Sequence, residues 1–359
     1  LGPGIALGAA LAVEQINAAG GINGQPVVLI EGDSGCDGAV ALTSLNDVIA
    51  QGAQGVMGAA CSGTSLAILD TAIAAEVVMV SPSNTSPQFT KIDKKGFYAR
   101  TAPSDLLQGD VLASLLVEDG VQTVSIISRA DSYGRGLAEA TAAAFEAAGG
   151  TVKTIVYHAT DATEFTSEVT AVGKGGADAI VGILFPETGC GVLQPAFEQG
   201  LLDTPWYMTD GVKDAGLASL CGLGTALDGF KGTAPGSAAG EAKDAFEAAY
   251  AEVSADGSPT FIFAPQAYDA VMLMAISAAA NGVTGPEIAS GLVAASSGGE
   301  KCIGVACIAL AADGVDVDYV GASGEIELNA VGDPTAATYD IWTTEGDTNP
   351  VLKSVDFGS

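Results

Sequence analysis

The sequence predicts an α/β protein built as two doubly wound parallel-sheet lobes, and three observations carry that expectation. Helical and strand-like periodicities alternate from one end of the chain to the other. The strand-like runs are continuously apolar, which suits strands buried on both faces of a parallel sheet. The 359 residues, 48% of them hydrophobic, supply enough chain for two domains and a large core.

Residues 5–19 place apolar groups at helical spacing, and Gly20-Gly21 ends that helix as a C-cap. Residues 26–33 (PVVLIEGD) read as a strand, 38–51 as a helix, 55–60 (GVMGAA) as a strand, 64–75 as a helix and 77–81 (VVMVS) as a strand; FYAR (97–100) closes this first group. After Thr101-Ala102-Pro103-Ser104 come a helix at 105–119, a strand at 123–128, a helix at 134–148, a strand at 151–157, a helix at 164–174, a strand at 177–185, a helix at 191–200 and a strand at 205–208. Strands alternating with helices of 10–15 residues indicate βαβ units. A mostly helical stretch follows at 240–254, 261–281, 285–297 and 303–311. The tail reads as a hairpin of 324–328 (GEIEL) and 337–344 around the Gly332-Asp333-Pro334 turn. The chain is expected to pass between lobes more than once, with residues 1–103 and 236–320 in the first and 104–235 and 321–359 in the second.

Acidic residues number 43 and basic ones 13, a formal charge of −30. The high hydrophobic content separates this chain from a disordered acidic tail. Nucleic acid and polyanionic membrane surfaces are poor partners, because recognition there rests on Lys and Arg. Mean hydropathy is +0.37, yet the most apolar stretch, Ala264 to Val283, is broken by Gln266 and Asp269 and falls short of a membrane span. Six cysteines form no CxxC and the only histidine is His158, so no zinc site is expected. Free thiols and three disulfides both remain open readings of those cysteines. No signal peptide opens the sequence, which starts inside an amphipathic run; a processed or truncated N-terminus is expected.

Catalytic signatures are missing: there is no GxSxG, Walker A or HExxH, and Gly134-Arg135-Gly136 lacks the third glycine of a dinucleotide loop. No enzyme activity and no cofactor are expected. Polar residues do gather at the carboxyl ends of the predicted strands, where open α/β sheets bind ligands. Cys61-Ser62-Gly63-Thr64-Ser65 leads from a strand into a helix, and backbone N–H groups there can meet an anion. The same residues can equally form a plain helix cap. Ser81-Pro82-Ser83-Asn84-Thr85-Ser86-Pro87 can add hydroxyls to that anion site or serve only as a turn. In the second lobe, Tyr133 can cover a ligand and Asp210 can pair with a cation, or cap a helix. An anion site facing a cation site suits a zwitterion.

Several segments carry a family likeness: AVEQINAAGGINGQPV (12–27), GDSGCD (32–37), GAACSGTS (58–65), MVSPSNTSPQFT (79–90), YARTAPSD (98–105), DSYGRGLAEA (131–140) and GEIELNAVGDPTAATYDIW (324–342). With these the chain resembles the type I periplasmic binding proteins, specifically the leucine/isoleucine/valine-binding receptors of ABC transporters. The resemblance implies a Venus-flytrap receptor with three hinge crossovers and an amino acid in the cleft. It places Ser62 and Thr85 on the ligand carboxylate, Ser83 on the ligand through its backbone, Tyr133 as a second-lobe aromatic, and Asp210 on the ammonium, where relatives have the longer Glu. Phe185 falls in the family's aromatic loop and Leu1 on its side-chain pocket wall. A disulfide between Cys36 and Cys61 is implied, which leaves Cys190 with Cys221 and Cys302 with Cys307. Also implied are permease subunits as partners, a monomer, a periplasmic or extracellular address with or without a lipid anchor, and a strand and loop of about 17 residues ahead of the first helix. A ligand-sensing ectodomain and a surface assembly protein use the same fold and stand as alternatives.

Overall fold

The computed structural model describes residues 2–255 and 261–357. Leu1 lies outside the described residues. The chain opens with helix α1 (Gly2–Ala18), whose Ile5, Ala9, Ala12 and Ile16 point inward. Helix α2 (Gly38–Ala50) is capped by Asp37, whose carboxylate accepts from the N–H groups of Ala39 and Val40. Strand β1 (Gly55–Met57), helix α3 (Ser62–Ala74), strand β2 (Val78–Ser81), the short helix α4 (Gln88–Lys91) and strand β3 (Tyr98–Arg100) follow. The three strands form a parallel sheet in the order β1-β2-β3.

Helix α5 (Asp105–Glu118), capped by Ser104, starts the second lobe. Strand β4 (Thr123–Arg129), α6 (Ser132–Ala147), β5 (Thr151–His158), α7 (Thr166–Gly173), β6 (Ala179–Ile183), α8 (Pro186–Glu198), β7 (Trp206–Met208), the short α9 (Leu217–Leu220) and β8 (Lys231–Pro235) complete its parallel part. The chain then returns to the first lobe through α10 (Glu241–Val253), α11 (Ala264–Asn281), α12 (Gly285–Ala295), β9 (Glu300–Ile303), α13 (Ala306–Ala312), β10 (Val317–Gly321) and β11 (Gly324–Glu325). A Thr284/Glu287 capping box begins α12. Finally β12 (Ala337–Thr343) and β13 (Val351–Phe357) add antiparallel strands to the second lobe, giving the order β13-β12-β8-β7-β6-β4-β5. Strands β9 to β11 form a separate small sheet.

In the first lobe, α11 is buried along nearly its whole length. It packs between α1, α12 and α13 and against β2, so Ile16, Val80, Leu273 and Ile276 share one core. The second lobe has a core on each face of its sheet, one around Ile127, Val192 and Trp206, the other around Leu112, Ile126 and Phe145. Each such side chain contributes about 1.5–3 kcal/mol relative to an exposed one. All three disulfides are closed, Cys36–Cys61, Cys190–Cys221 and Cys302–Cys307. His158 is a core residue: it meets Phe165 edge-on, its Nδ1 lies 3.0 Å from the Ala159 carbonyl, and burial holds its pKa down. Among the described residues no acid, His or Cys cluster could hold a metal ion, and no helix is long and apolar enough to cross a membrane.

Four sequence expectations need correction. Residues 26–33 form no strand: no ladder partner pairs with them among the described residues, and Val28 and Leu29 are exposed. The helix expected at 303–311 is strand β9 followed by the shorter α13, since Cys302 pairs in register with Tyr319 of β10. The tail is not a hairpin about Gly332. Gly324–Glu325 pairs with β10, and 337–343 pairs with β8 and β13, leaving one isolated bridge between Leu328 and Pro334. Strands β8, β10 and β13 were not expected at all. In β8, KGTAP has little strand propensity, but Gly232 lies under the Trp342 ring, where an added Cβ would come within 2.2 Å.

Three crossovers join the lobes: Thr101–Ser104, Gly236–Gly240 and the segment after β11. They meet where Thr101 Oγ1 donates to the Gln266 carbonyl (2.7 Å) and Gln266 Nε2 donates to that of Gly236 (3.1 Å). One turn beyond, buried Asp269 accepts from the Tyr319 hydroxyl (2.8 Å), the N–H groups of Ala322 (2.7 Å) and Ser323 (2.8 Å), and the Ser323 hydroxyl (2.6 Å).

Among the described residues, nine of the thirteen Lys and Arg side chains sit in ion pairs, and the thirteen cations are far outnumbered by the 43 carboxylates. Their mutual repulsion favours the expanded chain. Raising NaCl from about 0.05 to about 1 M shortens the screening length several-fold and is expected to raise the melting temperature. A melting temperature that stays flat or falls over that range would show that the surface charge carries no such cost.

Candidate functional site

The cleft between the lobes is lined by turns at the carboxyl ends of β1, β2, β4, β6 and β7. On the first-lobe side, two loops are tied together. The Asn84 side chain donates to the carbonyls of Ala59 and Ala60 (both 3.0 Å), Ser81 Oγ donates to Ala59 (2.9 Å), and Ser65 Oγ bonds the same residue (2.9 Å). Ser83 Oγ donates to the Ala60 carbonyl at 2.9 Å. This lashing fixes residues 58–62 against 81–86, and the Cys36–Cys61 disulfide anchors the same corner. Helix α3 starts at Ser62, two residues earlier than its periodicity suggests. The first-turn N–H groups of Thr64 and Ser65 are taken up by the Cys61 carbonyl (both 3.1 Å). Ser62 is buried, and its Oγ accepts a long bond from Ser86 N–H at 3.4 Å. Thr85 is buried too, and its hydroxyl has no hydrogen-bond partner.

The second lobe supplies the opposite charge preference. Asp131 caps α6, accepting from Gly134 N–H at 2.8 Å, and so sets Tyr133 at the helix start. Gly134 matters here, because an added Cβ would come within 2.3 Å of the Arg129 carbonyl oxygen. The Tyr133 hydroxyl donates to Asp210 Oδ1 at 2.9 Å and lies 3.0 Å from Thr209 Oγ1. Gln108 of α5 donates to the same Asp210 oxygen at 2.9 Å and to the Thr233 carbonyl at 3.1 Å. Phe185 stacks on Tyr133 with ring centroids 5.2 Å apart, and the Arg129 guanidinium lies 4.2 Å from the Phe185 ring centre.

Sequence reasoning passed over Gln108, Arg129 and Asp105 in this cluster. Asp105, at the start of α5, is completely buried and neither of its carboxylate oxygens has a hydrogen-bond partner. Its main-chain N–H donates to the Thr85 carbonyl at 2.8 Å, which brings the two loops together. Burial, and then the charge of Asp210, push the Asp105 carboxyl well above its ordinary pKa. Burial also raises Asp210 to about 6, against the opposing hydrogen bonds of Gln108 and Tyr133. The sequence signal for Asp105 is only its place in RTAPSD at the lobe junction.

The two lobes touch across this cluster. Helix α6 packs on α3, and a Cβ added to Gly136 would lie 2.7 Å from Pro87 Cδ. Ser62, Ser83, Thr85, Tyr133, Phe185 and Asp210 therefore converge on one region. Leu1, expected on its wall, lies outside the described residues.

Comparison with known proteins follows the same lines. Residues 1–301 match the family described as periplasmic binding protein. An amino acid binding protein of Pseudomonas aeruginosa is 34% identical over 223 residues, 60% of this chain and 58% of that relative. The leucine-, isoleucine-, valine-, threonine-, and alanine-binding protein of the same organism is 29% identical over 289 residues, 78% of this chain and 74% of its own length. The match thus spans little more than half of the first relative. Among solved structures, the branched-chain amino acid transporter substrate binding protein LivJ of Streptococcus pneumoniae, in complex with isoleucine, superimposes with a TM-score of 0.81. That likeness has 23% identity and covers 100% of this chain and 95% of the other. A leucine binding protein, LivK, of Thermotoga maritima gives 0.83 at 20% identity, over 99% and 94%. At these identities the structural likeness speaks for the fold.

Proposed function

Since this chain belongs to the periplasmic binding protein family, we propose that it is an extracytoplasmic receptor that holds an amino acid between its lobes and delivers it to the permease of an ABC importer. The observation that carries this reading is the pair of buried carboxylates, Asp105 and Asp210, with no cation bonded to either among the described residues. A buried anion without a partner is costly, and an arriving ammonium group offsets that cost. From the first lobe come Thr85, which lies beside Asp105, together with Ser62 and the amino end of α3, groups that suit a carboxylate. Hydroxyls and a helix amino end on one side and Asp210 on the other suit a zwitterion.

In this reading the first lobe takes the ligand carboxylate through Ser62, Thr85 and backbone N–H groups around Ser83. The second lobe closes on it, and Asp210, Asp105 and the Tyr133 hydroxyl accept or share the ammonium protons. Each charge-assisted bond in the dehydrated cleft contributes about 1.5–3 kcal/mol. Tyr133 and Phe185 form an aromatic wall, which favours an apolar side chain and is consistent with a branched-chain ligand. Closure is driven by the ligand's higher affinity for the closed arrangement. In this reading the ligand leaves unchanged, as befits a receptor. We place the third crossover at the residues between β11 and β12, and assign the chain as monomeric.

Mass spectrometry of small molecules released from the native protein, followed by calorimetry with L-leucine, L-isoleucine and L-valine, tests the reading. Release of an intact amino acid, and micromolar or tighter binding of at least one of the three, is expected. Release of a sugar or nucleotide, with no amino-acid binding, would overturn it. The raised pKa of Asp210 adds a pH prediction. Below about pH 6 the folded, empty site holds a proton on Asp210 that ammonium binding must displace. Affinity is therefore expected to fall about tenfold at pH 5 relative to neutral pH, one proton being released per ligand bound. Equal affinities at both values would remove Asp210 from the ammonium site.

A further inference from the structure

The loop that carries Thr85 is also held by two side chains of β3: the Tyr98 hydroxyl donates to Asn84 Oδ1 at 2.9 Å, and Arg100 reaches the main chain. Arg100 ends β3 and is completely buried. Its Nη1 donates to the carbonyls of Asn84 (3.1 Å) and Ser86 (3.0 Å), the residues on either side of Thr85. Its Nη2 donates to Thr90 Oγ1 at 3.1 Å, and its Nε to Asp333 Oδ1 at 2.9 Å. Thr90 in turn donates its hydroxyl to Asp333 Oδ2 at 2.5 Å. A guanidinium can satisfy these acceptors together because its donors form a rigid planar fork; an ammonium cannot.

The counterion comes from a remote part of the chain. Asp333 sits in a turn of the third crossover, where Asn329 Oδ1 accepts from the N–H groups of Val331 (2.9 Å) and Asp333 (3.1 Å). The Gly332 carbonyl accepts from Arg100 N–H at 2.9 Å. Gly332 has a φ of +76°, and an added Cβ would lie 2.6 Å from the Tyr98 carbonyl oxygen and 3.0 Å from Ala99 Cα. Only glycine lets the turn lie this close to β3 and bring Asp333 to the guanidinium. Lys94 stands 3.7 Å from the same carboxylate. Four residues after Asp333 the chain enters β12 of the other lobe.

We propose that Arg100 is a positioning residue for ligand recognition: its fork fixes the two carbonyls flanking Thr85, and Asp333 fixes the fork, so that the third crossover sets the geometry of the anion site. The inference rests on the amino-acid-binding reading of the cleft. Arg100 touches no ligand; it acts through Thr85. A shift of the crossover on opening or closing reaches Thr85 through two charge-assisted contacts.

The test is calorimetric titration of the full chain with L-leucine, L-isoleucine and L-valine. The variants are Arg100→Lys, Asp333→Asn and Thr85→Ala, with the two double variants that combine each of the first two with the third. Arg100→Lys and Asp333→Asn are each expected to weaken binding at least about tenfold with near-UV circular dichroism unchanged. Each double variant is expected to bind no more weakly than about threefold below Thr85→Ala alone, because both changes act on one element. Ile68→Val, a core change in α3, serves as the control: it lowers the melting temperature and leaves affinity in place. Additive losses in both cycles, or affinity within twofold of the parent in folded Asp333→Asn, would overturn the positioning role. Should Arg100→Lys fail to fold, the Asp333→Asn cycle decides, since asparagine keeps the shape and Lys94 stays beside it. A parent chain that binds none of the three and releases no amino acid sinks the amino-acid reading itself, whereas a binding parent with additive variants sinks only the coupling.

Discussion

Replacing Asp210 by asparagine is expected to weaken amino-acid binding by about two to three orders of magnitude, the outcome of removing one partner from a buried, hydrogen-bonded charge pair. The substitution is nearly isosteric. The amide oxygen can still accept from Gln108 and Tyr133, both of which bond Oδ1 in the parent, so the second lobe should fold as before. What disappears is the negative charge on which the proposed ammonium site rests. Asp105 remains, but its own carboxyl is pushed well up by burial, so it cannot replace that charge at neutral pH without cost. The loss should appear in the dissociation rate, with the tenfold weakening at acid pH abolished because the titrating group is gone. Affinity within threefold of the parent, measured by calorimetry, would show that the ammonium is held elsewhere.

The largest effect on stability is expected at Asp269. Its carboxylate satisfies two main-chain N–H groups and two hydroxyls in a site with no access to water. Asp269→Ala leaves all four donors buried, and at about 1–3 kcal/mol for the worst of them the total should reach about 3–5 kcal/mol. The turn at Ala322–Ser323 would lose its anchor to α11, so the first-lobe unfolding transition is expected to fall by several degrees in calorimetric scans. A scan within one degree of the parent would refute the anchoring role. Burial raises the Asp269 pKa to about 6. In the unfolded chain the group titrates near the ordinary carboxylate value of about 3.9. Its contribution therefore favours folding most below that value and is lost as pH rises through about 6, so Asp269→Asn should flatten the acid side of the stability profile.

Much of this architecture was readable before any coordinates. The alternation of apolar runs and helical patterns located the parallel strands β1 to β7. Strands β2 and β6 are buried on both faces and wholly or largely apolar, whereas the edge strand β5 carries Lys153 and Thr154 and was located by its place between two helices. Tyr133 and Asp210 were expected on one side of the second lobe, and they meet because both follow carboxyl ends of parallel strands of one sheet, β4 and β7, with β6 between them. Other parts depend on partners that no local pattern names. PVVLIEGD has the composition of a buried strand, yet pairing requires a neighbouring backbone, and composition cannot supply one. Strand β8 reads as a loop until Trp342 covers Gly232. Asp105 looks like an ordinary acid in a helix first turn beside its Ser104 cap. Only the approach of Thr85 and Asp210 turns it into a buried group whose carboxyl is pushed up.

The bonding within each half of the cleft has a kinetic consequence. Asp210, Tyr133 and Gln108 are bonded to one another without help from any ligand, and the Thr85 loop is tied to Arg100 in the same way. Neither half must rearrange to receive a guest, so the molecule works as two stiff jaws on compliant straps. Encounter with the open jaws depends little on which side chain the guest carries. The time the jaws stay shut depends on it strongly. Across a series of related amino acids, association rates should cluster while residence times spread, and discrimination becomes a matter of how long each guest is kept.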